Sequence, residues 1–250
     1  MKSELQYQPF VILGTARTGT TMLWSYLNSH PEILCLRGVY GSTNKINFGK
    51  FYEELPEEYR SEELVTFRNQ KPIEFLEKYV YKKYAKPLRA VGFKYFYDHN
   101  RHLADKNELI DYFKENSDIK FIHLKRDNLL ATLFSYKRAL AQQQWTTANP
   151  NFHTTISVKE CSEYFQMIIS NQKQFNELFS RQTIQVSYDN LLLQTEQTIQ
   201  EILKHIGVKK FNLKTETKKN TEIKLIECIT NYTELKNRFI NTCYAKYFNE

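Results

Sequence analysis

Four short, predominantly apolar stretches punctuate the chain, at 10–14, 90–96, 119–124 and 183–188, each bounded by polar or glycine-containing turns. Runs of this length suit strands buried on both faces, as in a parallel sheet, because strands with one wet face alternate instead. Between them the apolar spacing changes to three and four, the period of a helix with one buried face, at 20–29, 72–84, 105–116, 127–143, 157–180 and 190–206. Alternating strands and helices predict an α/β fold, a three-layer α/β/α sandwich around a central, mainly parallel sheet. Residues 36–70, with Gly38, Gly41, Gly49 and Pro56, and residues 144–156, with Trp145 and Pro150, carry neither period. They are expected to be irregular insertions that shape a ligand site. No linker, repeat or low-complexity segment divides the 250 residues, so one domain over 1–250 is expected.

The junction of the first strand and first helix carries the strongest chemical signal. Gly14 and Gly19 stand five apart, as in a nucleotide-binding P-loop, but Thr20 occupies the place of the ATP-binding lysine and the cation lies inside the loop, at Arg17. A helix starting near Gly19 offers unpaired N–H groups and the positive end of its dipole to an anion, and Thr18, Thr20 and Thr21 add hydroxyl donors. Of the Lys and Thr pair that serves ATP and Mg²⁺, only Thr21 remains. The loop fits a phosphate, but not the γ-phosphate of ATP.

A second cation stands at a second strand end. Ile119 to Arg126 reads as a buried strand closing on Lys125 and Arg126, followed by Asp127 and Asn128 as helix-start chemistry and by Leu129, Leu130, Leu133, Tyr136 and Leu140 at helical spacing. Ligands of open α/β sheets bind beyond the carboxyl ends of strands, so Arg17 and Arg126 are expected to face one crevice. The stretch Ala90 to Phe96 places Lys94 near another strand end, with Asp98 and His99 just beyond. His99 can be neutral near pH 7 and accept a proton. The competing reading is a surface histidine in a turn beside Asn100 and Arg101. His123, within its strand, is expected in the core or in support of the site, and Glu32, beside His30-Pro31, is an outside candidate for the base.

Thr15-Ala16-Arg17-Thr18-Gly19-Thr20-Thr21, running into Leu23 and closed by His30-Pro31, resembles the 5′-phosphosulfate loop of sulfotransferases that use 3′-phosphoadenosine-5′-phosphosulfate (PAPS) as donor. The resemblance implies a fold like that of the P-loop-containing nucleoside triphosphate hydrolases, with residues 15–21 around the 5′-phosphosulfate and Arg17 as a catalytic group. It also implies a 3′-phosphate site at Arg126 and Ser135; because the spacing is nine where many members have eight, Thr132 is the fallback. Thr183 to Leu192, with Tyr188-Asp189, is similar to the family's strand-then-Tyr-Glu/Asp segment. Lys218-Lys219-Asn220-Thr221, followed by Ile229 to Leu235, resembles the tail of bacterial carbohydrate sulfotransferases related to the nodulation-factor enzymes, which implies that Lys218 and Lys219 help to bind the 3′-phosphate. Lys94 would neutralise the transferring group.

One departure is plain. Many glycan-sulfating members have Gly-Glu after the second strand, with the glutamate as base, whereas this chain has Gly38-Val39, leaving His99 as the best replacement. The activity implied is transfer of a sulfuryl group to an acceptor hydroxyl on a glycan or glycolipid. Two alternatives stand beside it: a PAPS-binding protein that has lost catalysis, motivated by Val39, and a P-loop kinase, which would lack its lysine at position 20.

Composition adds little. Lys and Arg exceed Asp and Glu by 35 to 28, a net +7 that suits an anionic nucleotide and an acidic acceptor without requiring nucleic acid. Seventeen tyrosines and seventeen phenylalanines leave some rings over for an adenine or sugar wall, with most expected in the core. Cys35, Cys161, Cys228 and Cys243 show no metal-ligand spacing, so no metal is expected. With no apolar leader or membrane-length run, a cytoplasmic protein is expected, touching membrane only peripherally if the acceptor is a lipid.

Overall fold

A computed structural model describes residues 5–41, 44–49, 55–145, 151–215 and 224–249; Lys218 and Lys219 lie outside the described residues. Five parallel strands form one sheet in the order β2-β3-β1-β4-β5. They are β1 Gln8–Gly14, β2 Ile33–Leu36, β3 Ala90–Phe96, β4 Lys120–Lys125 and β5 Thr183–Ser187. The most apolar segment takes the central place, and Phe10, Val11, Ile12 and Leu13 of β1 are buried on both faces.

The two faces bury different partners. Phe10, Ile12, Ile122, Leu124 and Val186 pack under α1 (Thr20–Asn28), α7 (Tyr188–Leu193) and α8 (Thr195–His205), through Leu23, Trp24, Leu27, Leu191, Ile199 and Ile202. Val11, Leu13, Val91, Phe93 and Phe121 pack on the other face against α3 (Pro72–Phe75), α4 (Glu108–Glu115), α5 (Leu129–Gln142) and α6 (Val158–Leu178). Here the Phe121 and Phe179 rings stack at 4.3 Å. Three layers result, and many of the rings are core, each large aromatic contributing about 1.5 to 3 kcal/mol on burial. Because all strands run the same way, the loop after β1 is flanked by the ends of β3 and β4, where the chain's path across the sheet reverses.

Several expectations need correction. β2 is not among the four apolar stretches, since four residues are too few to establish a period. The segment 36–70 is not wholly irregular: it holds α2, Glu62–Gln70, capped by Ser61, whose Oγ accepts from the Leu64 N–H at 3.1 Å. Its sequence shows no helical period because its buried positions are only Leu64 and Arg68. The helical stretch at 72–84 is one α-turn, α3, passing into a π-turn over Leu76–Val80 and leaving the helix at Tyr81. The 190–206 stretch divides at Gln194 into α7 and α8. The C-terminus adds α9 (Leu225–Cys228), α10 (Tyr232–Phe239) and a 3₁₀ turn at Ala245–Phe248, all beyond the last helical stretch expected; Phe239, Tyr244 and Tyr247 surround Phe165 of α6.

Candidate functional site

The chain leaves β1 at Gly14, turns through Thr15 to Thr18 and enters α1 at Thr20. Two residues of this turn are left-handed, Arg17 at φ 69° and Gly19 at φ 86°. Thr18 donates its hydroxyl proton to the Thr15 carbonyl at 2.8 Å and pins the turn. Gly19 occupies the N-cap and brings no side chain to cover the first N–H groups of α1, which are therefore free to bind an anion. A glycine is required there for a second reason: a Cβ would stand 2.4 Å from Cδ2 of Tyr188.

Arg17 reaches across the crevice. Its Nε donates to Ser135 Oγ of α5 at 3.0 Å, and its Nη1 donates to the Trp145 carbonyl, within the insertion at 144–156. Arg126, one residue past β4, lies over the Tyr188 ring with its Cζ 5.0 Å from the centroid. Tyr188 thus touches both the phosphate loop and the second expected cation. Thr132, the fallback for Ser135, turns its hydroxyl to the Asn128 carbonyl of its own helix at 3.0 Å, whereas Ser135 meets Arg17.

A third guanidinium joins these two. Arg138, three residues beyond Ser135 on the same face of α5, is only 3% exposed. Its Cζ is 5.7 Å from the Phe134 ring centroid and its Nε has no hydrogen-bond partner. Burial, then Arg138 and Arg126 in that order, lowers the pKa of Arg17. Among the described residues no carboxylate forms an ion pair with Arg17, Arg126 or Arg138.

Lys94 lies on the other side of the loop. It stands opposite Ile12 of β1 in the sheet register, is buried, and donates from Nζ to Thr21 Oγ1 at 3.3 Å. Burial first, then the charge of Arg37, pushes its pKa down to about 8. Arg37 follows β2 and covers Trp24 at 4.4 Å, with a buried Nε that has no hydrogen-bond partner.

His99 is not the surface histidine of the competing reading. It is 7% exposed, with its ring 5.6 Å from that of Tyr95 and 4.8 Å from that of Phe96, and a Cβ on Gly38 would lie 3.2 Å from its Cε1. Burial pushes its pKa down to about 3, with Lys94 among the charges acting on it, so the ring is neutral at pH 7. Gly38-Val39, where the glutamate is missing, therefore sits beside this imidazole.

The remaining candidates fall away. His123 is a core residue: its Nδ1–H donates to Asn176 Oδ1 at 2.8 Å and its Nε2 accepts from the Tyr97 hydroxyl at 2.6 Å. Glu32 precedes β2, at the opposite edge of the sheet, where it lies 3.7 Å from Arg89 and lines a cleft with Tyr7 and Tyr84. Asp98 is exposed and paired with Arg101. Arg37 lies near Lys94 and Arg138 near Arg17, although the sequence motifs single out neither, and Tyr188 has a place at the loop that its own segment does not suggest. The signals in the sequence are a cation one turn after Ser135 on an otherwise apolar face, and a cation at the end of a third strand.

The two buried histidines predict an acid sensitivity. Each has a folded pKa of about 3 against an ordinary 6.5, so the unfolded chain takes up protons that the native state refuses. Their contribution is fully present above about pH 6.5 and is lost as pH falls toward 3, at up to about 1.4 kcal/mol per pH unit for each. Urea unfolding between about pH 7 and 5 should show stability falling with pH, more shallowly in His123→Gln; a flat profile would sink this prediction.

Among the described residues no cluster of three or more His, Cys, Asp or Glu could hold a metal ion, and no helix is long and apolar enough to cross a membrane.

The chain is similar to known proteins over most of its length. The sequence profile described as "Sulfotransferase family" matches residues 9–212. Nodulation protein H of Rhizobium tropici is 25% identical over 251 residues, covering 96% of this chain and 93% of that protein. The crystal structure of a sulfotransferase from Alicyclobacillus acidocaldarius superposes with a TM-score of 0.52 at 18% identity, covering 92% of this chain and 90% of that one, a likeness of fold.

Proposed function

Since the chain belongs to the sulfotransferase family, its chemistry is sulfuryl transfer, and we propose that its donor is PAPS and its acceptor a hydroxyl on a glycan or glycolipid. The observation that carries the donor assignment is the Arg17 to Ser135 hydrogen bond, which joins the phosphate loop to α5 beside Arg126 and Arg138, neither of which forms an ion pair among the described residues. A donor with anionic groups at its 5′ and 3′ ends supplies charge to both. The 5′-phosphosulfate lies at the N-terminus of α1 against Thr15, Ala16, Arg17, Thr18, Gly19, Thr20 and Thr21, and the 3′-phosphate meets Arg126 and Ser135. The acceptor class rests on the resemblance drawn from residues 218–235.

In the transfer, the acceptor oxygen forms a bond to sulfur as the bond from sulfur to the 5′-phosphate oxygen breaks, and the electron pair leaves with the phosphate. Arg17 and the loop N–H groups neutralise that charge, Lys94 faces the moving SO₃ group, and His99 receives the acceptor proton. A base of pKa about 3 is weak, but the donor's negative charge arriving beside Lys94 and His99 favours the protonated form of both.

Arg126→Ala is expected to weaken binding of adenosine 3′,5′-bisphosphate, the desulfated product, by about 10- to 150-fold, the loss of one charge-assisted contact of about 1.5 to 3 kcal/mol. An unchanged dissociation constant would remove Arg126 from the site. The assignment as a whole is tested by calorimetric titration with the bisphosphate and with ATP-Mg²⁺ at one salt concentration. Binding of the bisphosphate in clear preference to ATP supports the donor; preference for ATP would turn the reading toward a kinase. Bisphosphate binding without transfer to any of a broad set of hydroxyl acceptors would indicate a binding protein.

A further inference from the structure

Of the three clustered guanidinium groups, two have structural work in the protein itself. Arg17 donates to Ser135 and to the Trp145 carbonyl, and Arg126 lies on Tyr188. Arg138 is tied less: its ring contact, Phe134, belongs to its own helix and joins it to no other element. It is 3% exposed, its Nε is without a partner, and among the described residues it forms no ion pair, its one recorded ring neighbour being Phe134 of its own helix. Nor does packing explain it. Of its buried neighbours on α5, Phe134 and Ala139 are apolar and Ser135 is polar but uncharged, and an apolar side chain would fill the place of Arg138 without removing a charge from water. Burial disfavours the protonated form of Arg138, with Cys228 acting to favour it and Arg126 to disfavour it, and Arg138 in turn disfavours the protonated form of Arg17. A buried cation held against two like charges is stabilised when an anion of more than one charge comes between them.

Where that anion would bind follows from the helix. Ser135 and Arg138 are three residues apart, so their side chains emerge on one face of α5, and Ser135 already receives the Arg17 Nε–H. We infer that Arg138 is a third guanidinium of the 3′-phosphate site and that it sets the preference of this protein for an adenylate phosphorylated at the 3′ position over one phosphorylated at the 5′ position alone. The inference rests on the PAPS reading and deepens it: Arg126 and Ser135 place the 3′-phosphate, and Arg138 makes the dianion, rather than a bare 3′-hydroxyl, the favoured group.

The test is the ratio of dissociation constants for adenosine 5′-monophosphate and adenosine 3′,5′-bisphosphate, measured by calorimetry at fixed salt on the wild type and on Arg138→Gln, with thermal melts to confirm folding. The wild type is expected to prefer the bisphosphate. Arg138→Gln is expected to lose at least about tenfold of that preference through the bisphosphate alone, with the monophosphate constant changed by less than about twofold. Arg138→Met, which fills the same space with an apolar side chain, reads the same ratio if the glutamine variant does not fold, and Arg138→Lys should recover part of the preference by restoring charge without the planar fork. A wild-type preference that survives in the glutamine or methionine variant overturns the role of Arg138 and leaves the donor assignment standing. A wild type that does not bind the bisphosphate overturns the donor assignment itself.

Discussion

Arg17→Gly is expected to lose the donor and keep the fold. Arg17 holds φ at 69°, a left-handed conformation that costs an L-residue about 1 to 2 kcal/mol and glycine nothing. Against this, glycine gives the unfolded chain more freedom, worth about 0.5 to 1 kcal/mol, and the hydrogen bonds to Ser135 and Trp145 disappear. These effects nearly cancel, so the melting temperature should hold or rise slightly. Binding moves far more. In the proposed site the guanidinium faces both ends of the donor, and its loss should weaken bisphosphate binding about 10²- to 10³-fold and slow transfer at least as much. A melt and a titration on the same preparation check both arms. A variant that still binds the bisphosphate as the wild type does would take Arg17 out of the mechanism.

Gly19→Ala should damage both stability and binding, because one methyl group meets two obstacles. The backbone is left-handed at φ 86°, and the new Cβ would stand 2.4 Å from Cδ2 and 2.8 Å from Cε2 of Tyr188. The ring must move, and Arg126 rests on it. Backbone strain of about 1 to 2 kcal/mol and overpacking of about 1 to 3 kcal/mol add to a loss of about 2 to 5 kcal/mol, with bisphosphate binding about 100-fold weaker as Arg126 leaves its place. Gly207→Ala is the control. It shares the positive φ, at 67°, but no atom lies within 4 Å of its would-be Cβ, so it should cost about 1 to 2 kcal/mol and leave binding alone. If both alanines behave alike, contact with Tyr188 is not what makes Gly19 special.

What can be read from the chain depends on whether a residue's role is local. The phosphate loop is legible because a strand, a turn with two glycines and a helix start lie within fifteen residues, and Arg126 because the buried strand it closes fixes its place at the edge of the crevice. Arg138 is not, since a single arginine on an amphipathic helix ordinarily belongs to the solvated face; only the packing of α5 against the sheet turns it inward. Arg37 stays hidden with β2, whose four residues are too short for a pattern. Glu32 is misplaced because adjacency to His30-Pro31 says nothing about which edge of the sheet a residue faces; it precedes a strand, and the site lies where strands end. His99 cannot be decided from its polar neighbours, because its burial comes from Tyr95, Phe96 and the backbone at Gly38, partly from a different strand connection.

The bond between Arg17 and Ser135 closes over 118 positions of sequence, and Tyr188, which supports Arg126, comes later still. During synthesis the phosphate loop therefore emerges 118 residues ahead of Ser135, and further still ahead of Tyr188. Such distant contacts are slow to form, because the loop-closure entropy is lost before they reward it. The proposed nucleotide would then serve the folded chain as a clasp: present at about a hundred times its dissociation constant, it adds about 2.7 kcal/mol to the folded state alone. Under the proposed donor assignment, a cell short of the nucleotide would lose not only turnover but part of the protein's lifetime.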